Sequence, residues 1–235
     1  AHILTVQDPE SGNALVDMIA PIAGSKGTGM WTVQEALALG VPLPTIAQAV
    51  FARDLSAKSD ERTAAKERYG CEHAPFTGSD RAAFLEAIRQ VLYASKICSY
   101  AQGFALLKTA SERYDWNLDL GGIALLFRGG CIIRAAFLER IAEAYRAPQP
   151  PANLLMDDYF AGKLAAYQPA WRQVVTTAAA SGVAAPAFSA SLAYFDGYRD
   201  AEGPMNLLQA QRDCFGAHTY RRTDKEGSFH FDWLG

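Results

Sequence analysis

DRAAFLEAIRQVLYASKICSYAQGFALLKTASERYD, residues Asp80 to Asp115, decides the fold class. The stretch contains no proline, and Phe84, Ile88, Val91, Leu92, Ser95, Cys98, Ser99 and Gln102 recur at helical spacing, which predicts one long helix ending near Tyr114. Its second half carries small or apolar residues on nearly every side, among them Ala94, Cys98, Ala101, Gly103 and Ala105. A helix without a polar face belongs at the centre of a fold, with neighbours all round. Ser79 or Asp80 is the expected N-cap, supplying an oxygen for the free amides of the first turn.

Outward from this helix the same periodicity continues. Helices are predicted over Gly29–Leu39, Leu43–Ser56, Ala57–Arg68, Ile123–Phe127, Ile132–Arg146, Asp158–Ser181, Pro186–Asp200 and Asn206–Phe215. Pro42, Pro44, the Pro148-Gln149-Pro150-Pro151 linker, Pro186 and Pro204 fall where helix starts and loops are expected. Strand signals are confined to His218–Arg222 and Ser228–Trp233 around Gly227, a candidate hairpin with little core of its own. The expectation is an all-α fold: a large helical domain over residues 1–217 with a long central helix, and a short C-terminal tail or hairpin over 218–235. No strand followed by a G-x-G-x-x-G helix entry is present, so no dinucleotide-binding fold is expected in these residues.

Half of the 235 residues are hydrophobic and a fifth are charged, the profile of a chain that folds around a core. A formal charge of −3 argues against nucleic acid or an anionic membrane as the main partner, so any bound anion must be held by a local basic cluster. The first residues lack the basic-then-apolar pattern of a secretory signal, and the missing initiator Met fits a fragment or a processed chain. Cys71, Cys98, Cys131 and Cys214 form no C-x-x-C pair, and Cys98 and Cys131 sit in apolar, helical-looking stretches. Buried free thiols and a reducing, cytoplasmic setting are expected.

Four constellations could carry chemistry. Gly24-Ser25-Lys26-Gly27-Thr28-Gly29 opens a helix: glycines allow close backbone approach, Lys26 offers a point charge, Thr28 a hydroxyl, and the helix its free amides. This is how a phosphate is held, although a plain glycine-rich helix entry is the simpler reading of these residues alone. Arg53 lies near the end of an apolar helix, where it serves either as a C-terminal cation or surface ion pair, or as a bidentate fork for a carboxylate or phosphate. Arg212 and His218 bracket a helix exit at Gly216, either gripping an anionic, hydroxylated ligand or forming an ordinary terminus with Arg212 paired to an acid. Gly121-Gly122 and Gly129-Gly130 flank an apolar turn that reads as close helix packing, with Arg128 and Arg134 available to buried carboxylates. His2, His73 and His230 have no metal-like spacing, and no metal site is expected.

KGTGMWTVQEALALGVP, AVFARDLSAKSDER, LYASKICSYAQGFALL, GGIALLFRGGCIIRAAFL, SLAYFDGYR and NLLQAQRDCFGAHTYRR, ending in FHFDWLG, appear in this order. Together they closely resemble the C-terminal region of 6-phosphogluconate dehydrogenase, from about Ile3 to Gly235. The resemblance implies an enzyme that uses NADP to oxidise 6-phospho-D-gluconate and release CO₂, giving D-ribulose 5-phosphate in the oxidative pentose phosphate pathway without a metal. By position, Lys26, Thr28 and Arg53 match family residues that bind the substrate, chiefly its phosphate. Arg212 and His218 match residues that reach the site from the partner subunit of a homodimer. The family's catalytic Lys and Glu, its phosphate-binding Tyr and its dinucleotide-binding domain all precede this region, so no catalytic residue is expected here and truncation is expected on the N-terminal side only. Met30 stands where the family often has Lys or Arg, and Cys214 where it has an aromatic residue. Two readings follow: part of a working enzyme, inactive by itself, or a stand-alone dimerising or sugar-phosphate-binding module.

Overall fold

Asp80 begins the central element, its carboxylate accepting from the Ala83 amide at 2.8 Å, and from there α4 runs over Arg81–Tyr114. The alternative cap, Ser79, lies outside the described residues, which in this computed structural model are 2–76, 78, 80–233 and 235. Among them α4 is preceded by α1 (Thr28–Ala38), α2 (Pro44–Ser56) and α3 (Ser59–Tyr69). It is followed by α5 (Leu120–Leu126), α6 (Leu138–Arg146), α7 (Asp158–Ala180), α8 (Pro186–Arg199) and α9 (Met205–Gly216). The fold is all-α, as the periodicity requires.

Two compact units divide the chain, Ala1–Leu192 and Ala193–Gly235. In the first, α4 is about 50 Å long at 1.5 Å per residue and packs chiefly against α7. Val91, Ala94, Ile97, Cys98, Ala101 and Phe104 are almost wholly inaccessible, and the small residues among them let α7 approach with Phe160, Leu164 and Trp171. Aromatic edges close the seam: Phe137 sits 5.2 Å from Tyr100 and 5.7 Å from Phe160, ring centre to ring centre. Burial pushes the Cys98 thiol up to about 12, the behaviour of a small hydrophobe rather than a nucleophile.

One polar latch in this apolar setting fixes where α2 begins. Gln102, fully buried on α4, accepts from the Thr45 amide at 3.1 Å and donates to Thr45 Oγ1 at 2.9 Å. The first turn of α2 has no side-chain cap of its own, so an amide from another helix caps it. Leu106 of α4, Ala36 of α1 and Leu43 complete this corner.

Several expectations need correction. Leu92 is 57% exposed, because the buried stripe follows Val91, Ala94, Ser95 and Cys98 instead. The helix expected from Ile132 starts at Leu138; Cys131 to Ala136 form turns around Gly130, whose φ of 64° breaks helical geometry, and Ile132 is fully exposed. Cys131 is therefore in a turn and half-buried, and Cys71 is exposed, so of the four free thiols only Cys98 is buried. The tail hairpin reduces to a single antiparallel bridge between Tyr220 and Phe229, with reciprocal bonds of 2.8 and 2.9 Å. A second bridge, Gln7 with Ala14, was not anticipated.

Candidate functional site

Gly27 sets the geometry of the first cluster. It occupies the N-cap position of α1 with φ 91°, a left-handed conformation that side chains rarely adopt, and among the described residues no side chain caps the helix. The first amides of α1 are thus left for a ligand or water, with the positive end of the helix dipole behind them. Gly29 is the second residue of α1, where a Cβ would meet Val50 Cγ2 on α2 at 3.0 Å. That close approach brings the two helices together, and the buried Gln102–Thr45 latch holds α2 in register beneath.

The result is a cleft of about 220 Å³ whose walls include Lys26, Thr28 and Arg53. Three residues scattered through the sequence line one opening. Among the described residues neither Lys26 nor Arg53 has an acidic partner, so the surface-ion-pair reading of Arg53 has no partner to rest on. An ammonium, a guanidinium, a hydroxyl and a helix N-terminus facing one space are suited to a phosphate or carboxylate. Two other open clefts contain charges already paired: the space beside Lys96 and Arg134 holds the Arg128–Glu139 pair at 3.0 Å, and a larger opening lined by residues 221–228 holds the Arg222–Asp224 pair at 2.7 Å. Glu139 is exposed, which corrects the expectation of a buried carboxylate for Arg128. The glycine pairs do include a packing contact, since a Cβ on Gly121 would meet Arg146 Cγ at 2.9 Å and the Ala142 carbonyl at 3.2 Å, joining α5 to α6.

Arg212 and His218 belong to the second unit, at the exit of α9, and both are exposed. Arg212 donates to Gln209 Oε1 at 3.3 Å, not to an acid, and the same Gln209 side chain donates to the Thr219 carbonyl at 2.6 Å. Gly216 leaves room for the His218 ring, which a Cβ would meet at 3.1 Å. Two left-handed non-glycine residues, Ala217 at φ 49° and Thr219 at φ 61°, flank His218.

Beneath them lies Asp213, inaccessible to solvent, which sequence reading passed over. Its Oδ1 accepts from the Thr219 amide at 2.9 Å and faces His230 Nδ1 at 2.9 Å; Oδ2 accepts from the Phe231 amide at 3.1 Å and Trp233 Nε1 at 2.8 Å. Burial pushes this carboxyl up, but the bonds from Trp233, His230, Phe231 and Thr219 together outweigh it and hold the group well below the usual carboxylate range. The signal was present as one acid in a short apolar helix with a donor-rich tail downstream, but no spacing rule links Asp213 to Trp233. Among the described residues no group of His, Cys, Asp and Glu forms a metal site, and no helix is long and apolar enough to cross a membrane.

The fold is all-helical, with a basic cleft at the N-terminus of α1 and with Arg212 and His218 exposed at the exit of α9. The chain belongs to the 6-phosphogluconate dehydrogenase family: the family model described as 6-phosphogluconate dehydrogenase, C-terminal domain, matches residues 1–233. It is 56% identical, over all of its 235 residues, to the NADP(+)-dependent, decarboxylating 6-phosphogluconate dehydrogenase of Bacillus subtilis, and 54% identical to the decarboxylating enzyme of Synechococcus elongatus. Each match covers half of the relative, so the chain spans about half the length of the curated proteins it resembles. A solved structure of Plasmodium falciparum 6-phosphogluconate dehydrogenase, studied free, with its cofactor NADP+ and with its substrate 6-phosphogluconate, superposes with a TM-score of 0.93 at 45% identity, over 99% of this chain and 50% of that one.

Proposed function

We propose that this chain is the substrate-binding and dimer-forming half of a cytoplasmic, NADP-dependent 6-phosphogluconate dehydrogenase that decarboxylates 6-phospho-D-gluconate oxidatively to D-ribulose 5-phosphate in the pentose phosphate pathway. The observation that carries this reading is the single cleft lined by Lys26, Thr28 and Arg53 at an uncapped helix N-terminus, in a chain 56% identical to an NADP(+)-dependent, decarboxylating 6-phosphogluconate dehydrogenase. The substrate brings a phosphate near −2 and a carboxylate. Lys26 and Arg53 oppose the phosphate charge, Thr28 and the first amides of α1 donate hydrogen bonds, and Arg212 and His218 of the second subunit close over the same group. Each charge-assisted contact is worth about 1.5–3 kcal/mol. Residues 218–235 form the tail that packs on the partner subunit.

The family's catalytic Lys and Glu precede the region this chain resembles, so the chain binds and orients while the rest of the enzyme supplies NADP, the base and the acid. The isolated chain therefore reduces no NADP. In the complete enzyme, Arg212→Ala is expected to raise the KM for 6-phosphogluconate tenfold or more, by about 1.5 kcal/mol or above, with the KM for NADP nearly unchanged. Equal changes in both constants would remove the proposed role. The alternative, a stand-alone dimerising or sugar-phosphate-binding module, would show binding without any requirement for a dinucleotide-binding half.

A further inference from the structure

We infer that Asp213 and Gln209 are positioning residues for Arg212 and His218, holding the α9 exit in the conformation that meets the anion; this rests on the binding role proposed above for that pair. Gln209, Arg212, Asp213 and Gly216 follow one another at helical spacing on α9, so they share one face. Gln209 joins two groups: its carbonyl oxygen takes the Arg212 guanidinium at 3.3 Å and its amide nitrogen holds the Thr219 carbonyl at 2.6 Å. Asp213 takes the Thr219 amide at 2.9 Å, so both ends of the Thr219 backbone are fixed from the helix.

That double grip answers a specific need. His218 stands between two left-handed residues, Ala217 and Thr219, neither of which is a glycine. Such a backbone persists only where its surroundings hold it. Ala217 is held by its own amide bonding to the Asp213 carbonyl at 2.8 Å, and Thr219 by the two side chains. Ser228 Oγ adds a bond to Thr219 Oγ1 at 2.7 Å. Asp213 also ties in the tail through the Phe231 amide and the Trp233 indole, so the seat of His218 and the path of the chain end share one buried carboxylate. The purpose of such an arrangement is orientation: a guanidinium and an imidazole on an exposed helix exit would otherwise sample many directions, and that ordering cost would fall on binding.

The test is steady-state kinetics on the complete enzyme carrying this chain. Asp213→Asn keeps the shape but faces one pair of donors with an amide nitrogen; it is expected to raise the KM for 6-phosphogluconate about tenfold while the KM for NADP stays within about twofold. A merely structural Asp213 gives a different pattern, fewer active molecules and so a lower apparent kcat with an unchanged KM. That result would overturn the inference. Should Asp213→Asn not fold, Gln209→Leu carries the test on a half-buried position, with a KM rise of about threefold expected and an unchanged KM contradicting it. Arg212→Ala measured alongside separates the two readings: if it leaves the KM untouched, the binding role itself is wrong, whereas a large effect there with none at Asp213 and Gln209 rejects only the positioning role.

Discussion

Asp213 shows how much a single side chain can hold when every lone pair is used. Four donors from residues as far apart as Thr219 and Trp233 meet on it, and their sum keeps the carboxylate ionised despite burial. Because the folded carboxyl titrates below its unfolded value, its contribution to stability is complete above about pH 5 and drains as the pH falls through the acid range. The gap in Tm between the unchanged protein and Asp213→Asn is therefore expected to be widest near neutral pH and to narrow as pH drops from about 5 towards 3. His230 is a titratable side chain that faces Oδ1, so a His230→Gln background checks that the trend belongs to the carboxylate. A gap that stays constant with pH would contradict the assignment. At this scale the sequence was legible in part. Lys26, Thr28 and Arg53 are recognisable as cationic or hydroxylated residues near helix termini. Asp213 and Gln209 look like ordinary helix polar residues until the tail folds back, because their partners are set by tertiary structure.

Helix α2 depends on a bond it does not make within itself. Pro44 supplies a fitting first residue, but its second amide is capped by Gln102 from α4, and that latch sets the height at which Arg53 enters the cleft. Gln102→Leu would leave both the Thr45 amide and hydroxyl buried without partners. A loss of about 2–4 kcal/mol is expected, a fall in Tm of about 5–15 °C for a chain of this size. Adding Thr45→Val is expected to recover part of the loss, since it removes one of the two orphaned groups. Thermal denaturation measures both; a Tm within about 1 °C of the unchanged protein in Gln102→Leu would show that the latch contributes nothing. Helix positions were the most readable feature, since α1, α2, α4, α7, α8 and α9 begin and end within two residues of the periodicity-based ranges. The stretch from Cys131 to Ala136 was misread because Cys, Ile and Ala look helical in composition, while Gly130 in a left-handed conformation directs the chain into turns.

The molecule as a whole divides the proposed substrate-binding residues between two compact units, with Lys26, Thr28 and Arg53 in one and Arg212 and His218 in the other. Trp31, Leu37, Phe51 and Leu55 on α1 and α2 are exposed, and the chain spans about half the length of its relatives. The central claim is that one sugar phosphate is held by Lys26 and Arg53 of one subunit and by Arg212 of another. Mixed dimers of the complete enzyme test it most directly, pairing a subunit that carries Arg53→Ala with one that carries Arg212→Ala. If Arg212 acts across the subunit boundary, each mixed dimer rebuilds one unaltered site, and about half the normal kcat is expected at the normal KM for 6-phosphogluconate. If the mixed dimers show only the raised KM of the two parent variants, both arginines serve the same subunit and the claim is wrong.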